Sequence, residues 1–242
     1  MPLLFYIFGS TYKETFFISD KINYDYKVRA VGTNISIDRY YSNIDSVLVI
    51  KDLINMSDPN KNEKTIFVWP EGILPDISQK ELVEYKWLFE KSFNENHLLV
   101  IGTNSQVSEN GNIKYFNSFS IYDHNLSLLH SYNKVNLVPF GEFLPFENFF
   151  RKFGLKKITQ GYSSFSSDVE RKIININNIN FVPLICYEII YSGKINKTKE
   201  NFNLIINISE DGWFGNSIGP YQHFSHSIFR AIEEGKNIIR AS

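Results

Sequence analysis

Short apolar runs alternate with stretches of helical spacing, and no other feature of the chain limits its fold so much. Val28 to Val31, Thr65 to Trp69, Leu98 to Gly102, Asn180 to Cys186 and Leu204 to Ile208 are brief and rich in branched side chains, which reads as buried strands. Between them, Tyr41, Ile44, Leu48 and Leu53 fall roughly on one face of a helix predicted from Asp38 to Met56. Ser78-Gln79-Lys80-Glu81 matches a capping box, and Leu82, Tyr85, Phe89 and Phe93 then recur at helical spacing. Tyr221 to Gly235 predicts a helix closed by a glycine cap, and Asn237 to Arg240 begins a further strand. Tyr115 to Tyr122 alternates as a half-buried strand, with Ser127 to Tyr132 as its hairpin partner. Strand followed by helix, repeated, is the pattern of an α/β domain, whose reactive residues gather on loops beyond the strand ends.

At 242 residues the chain is long enough for one large domain with a substantial core. Its 25 basic and 26 acidic side chains leave a net charge of −1 with no basic stripe, which argues against a nucleic-acid partner. One cysteine excludes an internal disulfide framework. The leading segment Pro2 to Phe8 is apolar but far shorter than the roughly 20 residues that span a bilayer, and it lacks the charged start and cleavage site of a signal peptide. It is expected to be a buried or frayed lead-in, or the end of a longer hydrophobic helix. Residues 1–27 are therefore expected to form an N-terminal stub and 28–242 the main domain.

Three motifs carry the chemistry. Glu71 sits in Val68-Trp69-Pro70-Glu71-Gly72-Ile73-Leu74-Pro75, just past a strand and among apolar neighbours that would raise its pKa. Lys134 opens Lys134-Val135-Asn136-Leu137-Val138-Pro139-Phe140-Gly141-Glu142, where Glu142 can hold it by ion pairing. Cys186 ends the run Phe181-Val182-Pro183-Leu184-Ile185 and is followed abruptly by Tyr187-Glu188. Taken singly, each has a plain reading: a core thiol, a solvated carboxylate, a surface lysine. Taken together they supply a nucleophile, a base and a cation, which is what an activated thiol requires. His223 and His226 stand three apart without a third ligand and read as ordinary helix histidines. Neither a Gly-x-Ser-x-Gly elbow nor a phosphate-binding glycine loop is present, so no metal or cofactor is expected.

The three motifs, in this order, resemble the carbon–nitrogen hydrolase (nitrilase) superfamily, which places a Glu-Lys-Cys triad on an αββα sandwich. The finer resemblance, from about Val28 onward, is to the apolipoprotein N-acyltransferase branch. It rests on Trp69-Pro70-Glu71, Leu137-Val138-Pro139-Phe140-Gly141-Glu142 and Cys186-Tyr187-Glu188. It rests also on Trp213-Phe214-Gly215, Gly219-Pro220-Tyr221-Gln222-His223 and Arg230-Ala231-Ile232-Glu233-Glu234-Gly235. The resemblance implies that Cys186 is the nucleophile, Glu71 the general base and Lys134 the cation for the oxyanion. Glu142 is then a second essential carboxylate, with Tyr187 and Glu188 supporting the elbow.

It further implies a phospholipid acyl donor, a diacylglyceryl-modified apolipoprotein acceptor, and a place at the bacterial inner membrane with the domain on the periplasmic side. The chain departs from the branch pattern at Gly72, where a small hydroxylated residue is common, and near Tyr41, where tryptophan is common. The branch also carries membrane helices around this domain, and the domain continues beyond the position of Ser242. The sandwich is therefore expected to be incomplete at its C-terminal end, leaving an exposed edge at the last strand. A soluble amidase using water as acceptor, or an inactive remnant, are the rival expectations.

Overall fold

A computed structural model describes residues 2–18, 24–41, 45–109, 111–145, 164–196 and 200–242, with the backbone alone over 12–18. Strands β1 (Lys27–Ala30), β2 (Thr65–Val68), β3 (His97–Glu109), β4 (Asn112–Asp123) and β5 (Leu128–Asn133) form one sheet in that spatial order. The first three run parallel, and β4 and β5 fold back as antiparallel neighbours. A second sheet follows the order β6 (Ile174–Ile176), β7 (Ile179–Ile185), β8 (Leu204–Ile208), β9 (Asn237–Ala241). In it β7, β8 and β9 are parallel, and β6 and β9 are the outer strands. Among the described residues the α-helices are α1 (Pro2–Ile18), α2 (Ser46–Ser57), α3 (Lys86–Phe89) and α4 (Gly219–Glu234).

The alternation along each strand decides the layers. Ile66, Val68, Leu98, Val100, Phe119 and Ile121 face inward and meet Phe181, Ile185, Leu204, Ile206 and Ile208 of the second sheet. The intervening residues Phe67, Leu99, Ile101 and Tyr122 face outward, where Val49, Ile50, Leu53 and Ile54 of α2 cover them. Each such side chain contributes roughly 1.5–3 kcal/mol when fully buried, as an upper figure. On the far face of the second sheet, Val182, Leu184 and Ile205 pack under Ile189, Ile195 and Phe202. The layers are helix, sheet, sheet, helix, the α/β sandwich expected from the resemblance.

Three local expectations are corrected. The helix predicted over Asp38 to Met56 starts only at Ser46, because two capping residues each begin a helix of their own. Ser36 Oγ accepts the Asp38 amide for a 3₁₀ turn over Ile37–Tyr40, and Asp45 Oδ1 accepts the Val47 amide for α2. Tyr41 lies outside both, and Ile44 lies outside the described residues. The segment after the capping box is a 3₁₀ turn over Glu81–Tyr85 followed by the single turn of α3, although Ser78 and Glu81 do exchange the two capping hydrogen bonds.

Strand β4 is buried on both faces from Phe116 to Tyr122, not half-buried. Its serines are covered polar groups, with Ser120 Oγ 2.7 Å from Thr103 Oγ1 and Ser118 Oγ 2.7 Å from Ser105 Oγ. The leading apolar residues Leu3 to Phe8 lie on α1 and are exposed. Among the described residues, no helix is long and apolar enough to cross a membrane.

Candidate active site

Parallel strands that end on one side of two stacked sheets deliver their following loops to one place. Glu71 follows β2, Cys186 follows β7, and Ser209, Glu210 and Asp211 follow β8. Lys134 follows β5, which runs in the direction of β3 because two antiparallel pairings separate them.

Lys134 is 1% exposed, and its Nζ donates to Glu71 Oε1 at 3.1 Å and to Glu142 Oε1 at 2.9 Å. Burial works to strip the ammonium of its proton, but the two carboxylates outweigh it and hold the lysine pKa well above its ordinary value. Asn117 Nδ2 bridges the same two oxygens, at 2.7 Å from Glu71 and 2.8 Å from Glu142. Glu71 Oε2 accepts the Glu210 amide at 3.2 Å, and Glu142 Oε2 accepts the Val138 amide at 2.8 Å. The lysine, both carboxylates and the asparagine amide form a closed polar cluster in which each carboxylate is held at both oxygens.

The loop carrying Glu71 rests on Gly102 of β3. A Cβ there would sit 2.8 Å from Glu71 Cα and 2.9 Å from the Gly72 nitrogen, so only glycine admits this approach. Gly72 itself has φ 55°, and a Cβ on it would collide with the Tyr40 hydroxyl. That hydroxyl donates to the Gly72 carbonyl at 2.7 Å, which accounts for the bare glycine where the branch pattern has a hydroxylated residue.

Cys186 begins a 3₁₀ turn over Cys186–Ile190 with φ 47°, the left-handed region that residues bearing a Cβ avoid. Burial first, and Glu71 and Glu142 in addition, push its thiol pKa far up, while Lys134 and a hydrogen bond with Ser209 oppose them. The thiol thus feels every charged member of the cluster.

Glu188 ties the two halves together. Its side chain is fully buried, and Oε1 accepts the Tyr132 hydroxyl at 2.7 Å, the Val135 and Asn136 amides at 3.0 and 3.1 Å, and Arg171 at 2.9 Å. Oε2 accepts the Ile185 amide at 2.9 Å. One carboxylate therefore fixes the chain just after Lys134 to the chain just before Cys186. Tyr187 is half-buried and packs edge-on against Tyr191, with ring centroids 5.6 Å apart. No hydrogen bond joins it to the Glu71–Lys134 cluster among the described residues.

Sequence reasoning missed several residues that the fold brings here. Asn117 stands on the inward face of β4, in the same row as Phe119 and Ile121, where a lone polar residue drew no functional reading. Arg39 is buried, ion-pairs with Glu210 and lies 4.8 Å over the Tyr40 ring, whose other neighbour is Trp213 at 4.8 Å. His223, read as an ordinary helix histidine, has Nε2 3.1 Å from the Cys186 carbonyl oxygen.

The two-sheet sandwich brings a cysteine elbow, a lysine and two carboxylates to the ends of its strands. The carbon-nitrogen hydrolase family model matches residues 47–242, and the chain belongs to that family. Among named relatives it is similar to the apolipoprotein N-acyltransferase of Rhizobium leguminosarum bv. trifolii, at 35% identity over 72% of this chain and 33% of the relative. The apolipoprotein N-acyltransferase of Wigglesworthia glossinidia brevipalpis is 33% identical over 100% of this chain and 49% of the relative. The chain thus spans a third to a half of the length of these relatives.

Among solved structures, a glutamine-dependent NAD+ synthetase from Acinetobacter baumannii aligns with TM-score 0.54 at 17% identity, covering 88% of this chain and 38% of that one. An amidase from Nesterenkonia sp. AN1 aligns with TM-score 0.53 at 13% identity, covering 89% and 74%. At these identities the likeness speaks for the fold.

Proposed function

We propose that this chain is the catalytic domain of an apolipoprotein N-acyltransferase, with residues 28–242 as that domain and 1–27 as its lead-in. It takes a fatty acyl chain from a phospholipid and places it on the terminal amine of a diacylglyceryl-modified apolipoprotein, at the periplasmic side of a bacterial inner membrane. The observation that carries this reading is the similarity to relatives bearing that name, in a chain that buries Lys134 between Glu71 and Glu142 and ends a parallel strand at its single cysteine.

In the first half-reaction the Cys186 sulfur attacks the ester carbonyl of the donor while its proton passes to Glu71. The carbonyl oxygen gains the negative charge, which the Lys134 ammonium stabilises. Collapse breaks the ester C–O bond, and the alkoxide leaves with the proton that Glu71 held, giving a Cys186 thioester and a lysophospholipid. In the second half-reaction the acceptor amine attacks the thioester and surrenders a proton to Glu71. The C–S bond then breaks, the sulfur recovers that proton, and an amide remains. A thiol with a raised pKa needs an adjacent base for the first step, and Glu71 is the carboxylate whose charge acts most on it. Glu142, held by Lys134, Asn117 and Val138, keeps the ammonium in place, and Glu188 with Tyr187 supports the elbow.

The test is a partition between acceptors. The purified protein in detergent micelles is given a labelled phospholipid and a synthetic diacylglyceryl-cysteine peptide, and the label is followed by mass spectrometry. Label in the peptide amide is expected; label appearing only as free fatty acid, or release of ammonia from small amides instead, identifies a hydrolase.

A further inference from the structure

A second buried polar network lies against Cys186, on the backbone side of the residue. The cysteine holds a left-handed φ of 47°, which a residue with a Cβ keeps only where its surroundings impose it. Its carbonyl oxygen lies 3.1 Å from His223 Nε2. A carbonyl can only accept, so Nε2 carries a hydrogen.

The other ring nitrogen, Nδ1, is 2.9 Å from Asp211 Oδ1, 3.1 Å from Arg240 Nη2 and 3.5 Å from Ser209 Oγ. Arg240 Nη2 lies 2.7 Å from both Asp211 oxygens, and Nη1 hydrogen-bonds Asn207 inside β8. Ser209 Oγ donates to Asp211 Oδ1 at 2.9 Å and is also a partner of the Cys186 sulfur. His223 is 4% exposed and the Arg240 side chain 7%. The ring therefore has one nitrogen braced against a carboxylate on the β8 loop and the other on the cysteine backbone.

We infer that His223 is a positioning residue whose Nε2–H holds the Cys186 carbonyl, and with it the strained elbow that presents the thiol, while Asp211 and Arg240 lock the ring. This rests on Cys186 being the nucleophile. Cys186 is the chain's single cysteine, so the rate of iodoacetamide labelling, followed by intact mass between about pH 6 and 10, reads this thiol alone.

His223→Gln places an amide nitrogen near the level of Nε2, whereas His223→Asn places it near Nδ1 and leaves the carbonyl unheld. Labelling should slow on the order of tenfold in His223→Asn, the usual scale for one lost buried hydrogen bond, and return to within about threefold of wild type in His223→Gln. Equal rates in all three proteins, or equal slowing in both variants, overturn the inference. Should the wild-type thiol prove unreactive in this range, solid-state NMR of the wild-type protein decides; absence of any Cys186 acyl adduct from a phospholipid donor would refute the nucleophile reading, and the inference with it.

Should either variant fail to fold, the wild-type protein decides. With isotope label on the histidine ring nitrogens and the cysteine carbonyl, solid-state NMR should couple that carbonyl to a protonated ring nitrogen. No coupling overturns the inference.

Discussion

Replacing Lys134 by methionine removes one charge and leaves two buried carboxylates facing each other. Glu71 Oε1 and Glu142 Oε1 lie 2.7 and 2.8 Å from the same Asn117 nitrogen. Those oxygens are therefore no more than about 5.5 Å apart, and at an effective dielectric of about 20 their repulsion is about 3 kcal/mol. The intact cluster offsets this by the ammonium at 3.1 and 2.9 Å; without it, a broken buried pair costs roughly 3–5 kcal/mol.

The cost carries a pH signature. In Lys134→Met one carboxylate should keep a proton that the unfolded chain releases, because like charges at that distance disfavour double ionisation. The folded variant then binds more protons than the unfolded chain, so its stability should fall as pH rises from about 5 to 8. Urea unfolding followed by fluorescence of Trp69, Trp87 and Trp213 measures both effects, and adding Glu142→Gln should restore part of the loss. A loss below about 1 kcal/mol that does not change with pH would refute the argument, since that is what an exposed ion pair gives.

Gly102→Ala pushes a Cβ to 2.8 Å from Glu71 Cα, so the loop must move. It should destabilise by about 1–3 kcal/mol and reduce acyl transfer at least tenfold, measured by urea unfolding and by peptide acylation. Asp211 gives a separate acid limb. Burial disfavours its ionised form, but hydrogen bonds from His223 and Arg240 outweigh burial and push its pKa down to about 2, against about 3.9 unfolded. A depressed folded pKa stabilises the fold above the unfolded value, and that contribution is lost as pH falls through about 2. Urea midpoints should thus drop more steeply between about pH 5 and 2 in wild type than in Asp211→Asn.

The sequence exposed what depends on local order. Glu71 and Cys186 are legible because each ends a short apolar strand with an abrupt change of polarity, and Gly235 closes α4 as an αL cap, φ 61°. Lys134 and Glu142 are legible as charges inside an apolar stretch. What stayed hidden depends on pairing between distant segments. Asn117 shares the parity of Phe119 and Ile121, so alternation places it as one polar residue in an inward apolar row, and its partners Glu71 and Glu142 come from loops distant in sequence. Arg39 and Glu210 find each other across 171 positions of sequence. His223 could not be linked to Cys186 until α4 was known to pack beside the elbow. Strand β6 was missed although Asn177, at φ 53°, turns it into β7 within a run of alternating Ile and Asn that carried the hairpin signal.

The central claim is that acyl transfer runs through a thioester on Cys186. The direct measurement is mass spectrometry of the protein after brief exposure to a phospholipid with labelled acyl chains and no acceptor, in wild type and in Cys186→Ala. The account predicts one labelled acyl group, lost on treatment with hydroxylamine and mapped to the peptide containing Cys186, and no label in the alanine variant. Label retained in Cys186→Ala, or mapped to any other residue, would contradict it.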